Sequence, residues 1–184
     1  TCEKIAYTGV VTEPGIGITS TPQQRPKKIL VSQGGGAVGG ELLQAVARTT
    51  RHFPGYHFTF ALGPYAKAEL KGQLTTELKR TGGGNWTVAP FIRDFEGELA
   101  NSALSISLAG YNTVMNLLHT RTAALVYPYR ANHEQTIRAE KLEALGFMKT
   151  LRSEDLFEST LRQRIEERLQ RPYPAARVDL RGAQ

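Results

Sequence analysis

Residues 26–46, PKKILVSQGGGAVGGELLQAV, decide the fold. An apolar, β-prone run (Ile29, Leu30, Val31) enters a turn with five glycines in seven residues, Gly34 to Gly40, and a helix-like segment follows at once. Strand, tight turn and helix in that order open a βαβ unit. Gly34 to Gly39 also satisfies G-x-G-x-x-G literally. A dinucleotide site would add an Asp or Glu at the end of the next strand, to hold ribose hydroxyls. That strand ends Phe60-Ala61-Leu62-Gly63-Pro64, with no acid, and no Lys-Ser/Thr pair follows the glycines as a P-loop requires. Two readings of the glycines remain side by side: a sharp strand-to-helix turn, or close approach of the backbone to a ligand.

Outward from this unit the rhythm repeats. Strands are expected over 26–32, 56–62, 85–91, 104–108, 122–128 and 147–151, and helices over 41–53, 66–81, 111–118, 132–146 and 153–171. A short acidic-capped segment is expected at 94–102. The strand runs are short, β-branched or aromatic and mostly not alternating, the pattern of strands buried on both faces. Strict alternation of strand and helix predicts an α/β fold: a Rossmann-like parallel sheet of about six strands with helices on both faces, joined by right-handed crossovers.

Residues 1–25 read as a linker or edge segment, with an isolated β-like YTGVV and a stretch rich in Gly, Thr, Pro and Gln. Residues 26–171 form the domain, and 172–184 a truncated C-terminal tail. The ragged ends lead us to expect one domain cut from a longer protein. At 184 residues, 40% hydrophobic and 22% charged, the chain can bury a full core. No apolar run is long enough to span a bilayer. The lone Cys2 fits a reducing, cytoplasmic compartment and rules out an internal disulfide.

The net charge of +6 invites a nucleic-acid partner. The densest basic set argues otherwise. Arg162, Arg164, Arg168 and Arg171 alternate with Glu158, Glu166 and Glu167, while Phe157, Leu161, Ile165 and Leu169 recur every fourth residue. The arginines fall mostly on the solvated faces of an amphipathic helix, so no nucleic acid is expected.

Ligands of such a sheet bind outside the carboxyl ends of the strands, where the winding reverses. The segments with unusual chemistry fall there: QGGGAVGG, PFIRDF, AGYNT and YPYRANHEQ. Helix N-termini that follow directly suit a phosphate. In YRANHEQTIRAEKLEALG, Asn132 can cap a helix and Glu134 and Gln135 occupy its first turn, with Ile137, Leu142 and Leu145 on the core face. A first-turn acid alone can be mere dipole compensation. Paired with an amide, it suits sugar hydroxyls.

The order of these motifs, a Gly-rich loop, PFI, S-x-AG-x-NT, then P-x-x-x-x-x-EQ-x-x-RA-x-x-L-x-x-x-G, resembles the C-terminal, donor-binding domain of GT-B fold glycosyltransferases. The family 28 group, with the N-acetylglucosaminyltransferase of peptidoglycan synthesis, is the most similar. The resemblance spans about residues 27–170 and implies a nucleotide diphosphate sugar, a UDP-sugar, as partner. It implies hexosyl or N-acetylhexosaminyl transfer without metal or other cofactor. The acceptor and the catalytic residues would belong to a missing N-terminal domain, leaving this fragment inactive alone. It also implies work at the inner face of the membrane, by peripheral association of the full-length protein.

Residue by residue, the resemblance places Gly34, Gly35 and Gly36 along the diphosphate and Phe91 and Ile92 at the uracil edge. It places Ala109, Gly110, Tyr111, Asn112 and Thr113 on the diphosphate through helix N–H groups and the Thr113 hydroxyl. Glu134 and Gln135 would hold the donor sugar. One position departs: three residues after the Thr the family has a Glu on the ribose diol, and this chain has Asn116. An amide still gives and accepts hydrogen bonds but lacks a carboxylate's charge-assisted strength. The residues agree with metal independence, since there is no D-x-D and His52, His57, His119 and His133 are dispersed. A sugar-nucleotide epimerase of the same fold, or a non-catalytic nucleotide-binding module, would present similar motifs.

Overall fold

The run ahead of the glycine turn forms β1 (Lys28–Ser32), and the segment after it forms α1 (Gly40–Thr49). The computed structural model describes residues 25–34, 38–83, 85–129, 131–171 and 173–174. The expected linker over 1–24, Gly35 and Gly36 of the turn, and the tail beyond 174 lie outside the described residues. Alternation then continues through β2 (His57–Ala61), α2 (Ala68–Arg80), β3 (Trp86–Ala89), α3 (Phe95–Ala100), β4 (Leu104–Leu108) and α4 (Tyr111–Thr120). It ends with β5 (Ala124–Tyr127), α5 (His133–Ala144), β6 (Lys149–Thr150) and α6 (Glu158–Gln170).

The six strands form one parallel sheet in the order β3-β2-β1-β4-β5-β6. From β1 the chain winds outward to β3, then returns past β1 and winds the other way. The reversal falls between β1 and β4, where Ser32 pairs in register with Ser107. All strands run parallel, so the described residues of the four chemically unusual segments lie along one edge, at the carboxyl ends of the strands.

The period of two splits the core into two layers. Ile29, Val31, Phe58, Phe60, Leu104 and Ile106 face α1, α2 and α6, against Leu43, Val46, Leu74, Leu78 and Ile165. Leu30, Ala61 and Val126 face α3, α4 and α5, against Leu99, Val114, Met115, Leu117 and Ala139. On β4 the second face carries Ser105 and Ser107, both fully buried. Side chains this small let α4 lie close to the sheet beside the reversal.

Three local expectations change. The final helix is broken: a 3-10 turn over Ser153–Leu156 precedes α6, with extended backbone at Phe157. Asp155 causes the break, accepting from the Arg152 N–H (2.8 Å) and from Arg164 Nε (2.9 Å). Phe157 is 71% exposed, so the buried stripe begins at Leu161. Arg162 and Arg164 do pair with Glu166 and Glu167 on solvated faces, but Arg168 is buried and donates to the Phe147 carbonyl (2.9 Å). On α5, Ile137 and Leu145 are 42% and 62% exposed, and Ala139 with part of Leu142 makes the contact. That helix packs on the two-residue edge strand β6, which offers little sheet to cover.

At the amino ends of β4 and β5, opposite the strand-to-helix loops, a buried arginine closes the sheet. Arg25 is buried and donates to the Thr120 carbonyl (2.5 Å), the Thr122 hydroxyl (2.8 Å) and the Ser102 carbonyl (3.4 Å). Burial lowers its pKa, and the carbonyl ends of α3 and α4 partly offset the buried charge. Beside it, burial pushes the Tyr173 phenol up to about 12, against the pull of Arg121, Arg168 and Arg25. Arg25→Ala leaves buried acceptors without donors and opens a void. We expect a loss of about 2–4 kcal/mol in urea unfolding. A loss under about 0.5 kcal/mol, the range of ordinary surface substitutions, would show that water replaces the guanidinium freely.

Candidate functional site

At the reversal, α4 begins without a side-chain cap. Its N-cap is Gly110 (φ −60°, ψ 148°), and the first intrahelical bond runs from Val114 N–H to the Gly110 carbonyl (2.9 Å). The N–H groups of Tyr111, Asn112 and Thr113 therefore point out of the helix end with no acceptor among the described residues. By contrast, α5 is capped: the Asn132 carboxamide accepts from Gln135 N–H (3.2 Å). The α4 terminus sums these donors with the positive end of the helix dipole.

A cleft of about 260 Å³ starts at this terminus and runs over β1 and β2 towards the end of β3. One wall is the first turns of α4, through Asn112, Thr113 and Asn116. The floor is Ser32, Gly34 and Ala61. The far wall is Gly63, Pro64, Phe91, Ile92 and Phe95. Its volume falls just short of the roughly 300–1,000 Å³ of typical ligand pockets. Among the described residues, no ionisable side chain lines it. One end is thus apolar and aromatic, suited to a flat ring, and the other offers neutral donors and a helix terminus, suited to an anion.

Of the residues singled out from the sequence, Gly34, Phe91, Ile92, Asn112, Thr113 and Asn116 line this cleft. Phe91 is 59% exposed. Ala109 is fully buried behind the α4 terminus, Gly110 forms its cap, and Tyr111 stands on the rim, 49% exposed. Glu134 and Gln135 do not line the cleft. The Gln135 side chain turns back to accept from the Tyr129 N–H (3.1 Å), closing the loop ahead of α5. Glu134 is exposed and ion-paired with Arg138 one turn on.

Sequence reasoning missed Ser32, Ala61, Gly63, Pro64, Phe95 and Arg138. Ser32 is 2% exposed, and its hydroxyl has no partner among the described residues. As the last residue of β1 it could have been found from the strand-end rule alone. Arg138 joins both segments: its guanidinium lies over the Tyr111 ring (5.1 Å), reaches the Ala109 carbonyl (3.5 Å) and pairs with Glu134. Among the described residues, no His, Cys, Asp and Glu side chains gather as a metal site, and no helix is long and apolar enough to cross a membrane.

Residues 31–179 match the glycosyltransferase family 28 C-terminal domain. No curated protein matches the chain. Among solved structures, the glycosyltransferase of kitacinnamycin is 17% identical with a TM-score of 0.65, covering 91% of this chain and 39% of its own. MurG of Acinetobacter baumannii is 20% identical with a TM-score of 0.63, covering 78% and 41%. A UDP-glucose: anthocyanidin 3-O-glucosyltransferase in complex with UDP is 16% identical with a TM-score of 0.64, covering 83% and 32%. At these identities the likeness is one of fold. The chain spans about two fifths or less of the length of these three structures.

Proposed function

Because this chain belongs to the glycosyltransferase family 28 C-terminal domain, we propose that its cleft binds the donor of a glycosyl transfer, a UDP-sugar. One observation carries the reading: an uncapped helix terminus opens into an uncharged cleft whose far end is apolar. The uracil ring lies by Phe91 and Ile92, the ribose by Asn116, and the diphosphate on the α4 amides and the Thr113 hydroxyl. The sugar extends over the rim towards Glu134. The solved relative in complex with UDP has the same fold, which supports this ligand class.

In the transfer, an acceptor hydroxyl oxygen attacks the anomeric carbon. The bond from that carbon to the terminal phosphate oxygen breaks, and its electron pair stays on the departing diphosphate. The α4 amides are already aimed at the oxygen where this charge develops, so they need no reorganisation. The acceptor's proton passes to a base that we assign to another domain. This domain alone then binds donor and transfers nothing.

Calorimetric titration with uridine, thymidine, guanosine and adenosine diphosphates and with NAD tests the proposal. The uridine ligand should bind best. A tight preference for NAD over every diphosphate would overturn the reading, because it would make the glycine turn a dinucleotide site.

A further inference from the structure

Arg138 has no part in the cleft lining, yet it connects the two segments placed on the donor. Its guanidinium lies over Tyr111, the first residue of α4, and within 3.5 Å of the Ala109 carbonyl. Its third neighbour is the Glu134 carboxylate. The side chain is only 16% exposed, so a positive charge is held beside the open helix end rather than left in solvent.

The charge is needed there. The terminal phosphate of a nucleoside diphosphate carries about −1.5 to −2 charges near neutral pH, and about −1 while a sugar is attached, and a helix N-terminus supplies roughly +0.5. Among the described residues, the cleft lining has no cation to make up the difference. A guanidinium has five N–H donors in a planar fork. Glu134 takes one edge, and the long contact to the Ala109 carbonyl leaves the other free to accept a better partner. We propose that Arg138 is the counter-cation of the donor's terminal phosphate, positioned by the Tyr111 ring, with the Glu134 carboxylate as the phosphate's competitor for it. The inference rests on the donor-site reading and deepens it. While the sugar is attached the terminal phosphate holds one fewer ionisable oxygen than after departure, so Arg138 binds the leaving group more strongly than the ground state.

Titrations with UDP and UMP, which differ by that phosphate, test it in the wild type, Arg138→Gln and Arg138→Lys. The Gln variant should bind UDP roughly 10- to 100-fold more weakly while losing much less for UMP. The salt slope of UDP binding should fall by about one charge, and Lys should recover most of both. Equal losses for the two nucleotides would reduce Arg138 to a structural tie, and no loss would remove it from the site. Glu134→Gln gives an independent reading if Arg138→Gln fails to fold. Relieved of its carboxylate, Arg138 should hold UDP several-fold more tightly, and unchanged or weaker binding would overturn the assignment. A wild type that binds neither nucleotide overturns the donor site together with this inference, whereas selective failure of the variants overturns this inference alone.

Discussion

Gly39→Val should destabilise the domain by about 2–5 kcal/mol, the largest stability loss expected from a residue at the site's edge. Gly39 is the N-cap of α1 and has φ 99°, in the left-handed region. A β-branched residue there adds roughly 1–2 kcal/mol of strain. The space is also taken: a Cβ would stand 2.9 Å from Leu108 Cδ1, 3.1 Å from Leu108 Cγ and 3.2 Å from Gln33 Cβ. Leu108 ends β4 and Gln33 follows β1, so the displaced atoms are the two sides of the reversal. Overpacking of that kind costs about 1–3 kcal/mol more. Gly34→Ala makes the comparison, since Gly34 also has positive φ (73°) but a Cβ there meets nothing within 4 Å. Urea unfolding of both variants measures the difference. Equal and small losses would mean that the turn relaxes and that packing at Gly39 is not what holds it.

That contrast separates the two readings of the glycine run. Gly39 is needed for packing, and a Cβ on Gly40 would likewise crowd Leu70 Cδ1 at 3.0 Å, whereas a Cβ on Gly34, which lines the cleft, meets nothing within 4 Å. Sequence could not tell these apart, because the distinction depends on which glycine meets the side chains arriving from β4 and α2. The alternation of elements was legible because it depends on local periodicity, and so was the edge on which the motifs gather, because parallel winding dictates it. What distant neighbours decide was not legible. Ile137 and Leu145 have helical spacing for a core face, but the edge strand beneath them is two residues long. Gln135 has the chemistry to hold a sugar, but its side chain closes the loop at Tyr129. Arg138 stood in the quoted motif with no role assigned to it, and only the fold brings it against Tyr111.

Gly110→Val should weaken UDP binding by roughly 100-fold or more, about 2.7 kcal/mol, while leaving the domain folded. Two physical facts make the separation clean. Gly110 has φ −60° and ψ 148°, which any residue adopts, and a Cβ there would meet only Thr113 Oγ1, at an ordinary 3.9 Å. Valine in place of glycine at an N-cap costs about 1 kcal/mol of stability at most. Its branched side chain would nevertheless fill the space in front of the Tyr111, Asn112 and Thr113 amides, where the proposed diphosphate would come within hydrogen-bond distance. Two charge-assisted bonds at about 1.5–3 kcal/mol each account for the predicted loss. Thr113→Ala removes one hydroxyl and leaves the amides clear, so it should cost less, about 1 kcal/mol, rising to roughly 3 if the hydroxyl donates to a charged oxygen. The order of the two variants is the test. If Gly110→Val is folded and binds UDP like the parent while Thr113→Ala does not, the phosphate lies beside the α4 side chains and not on the helix terminus.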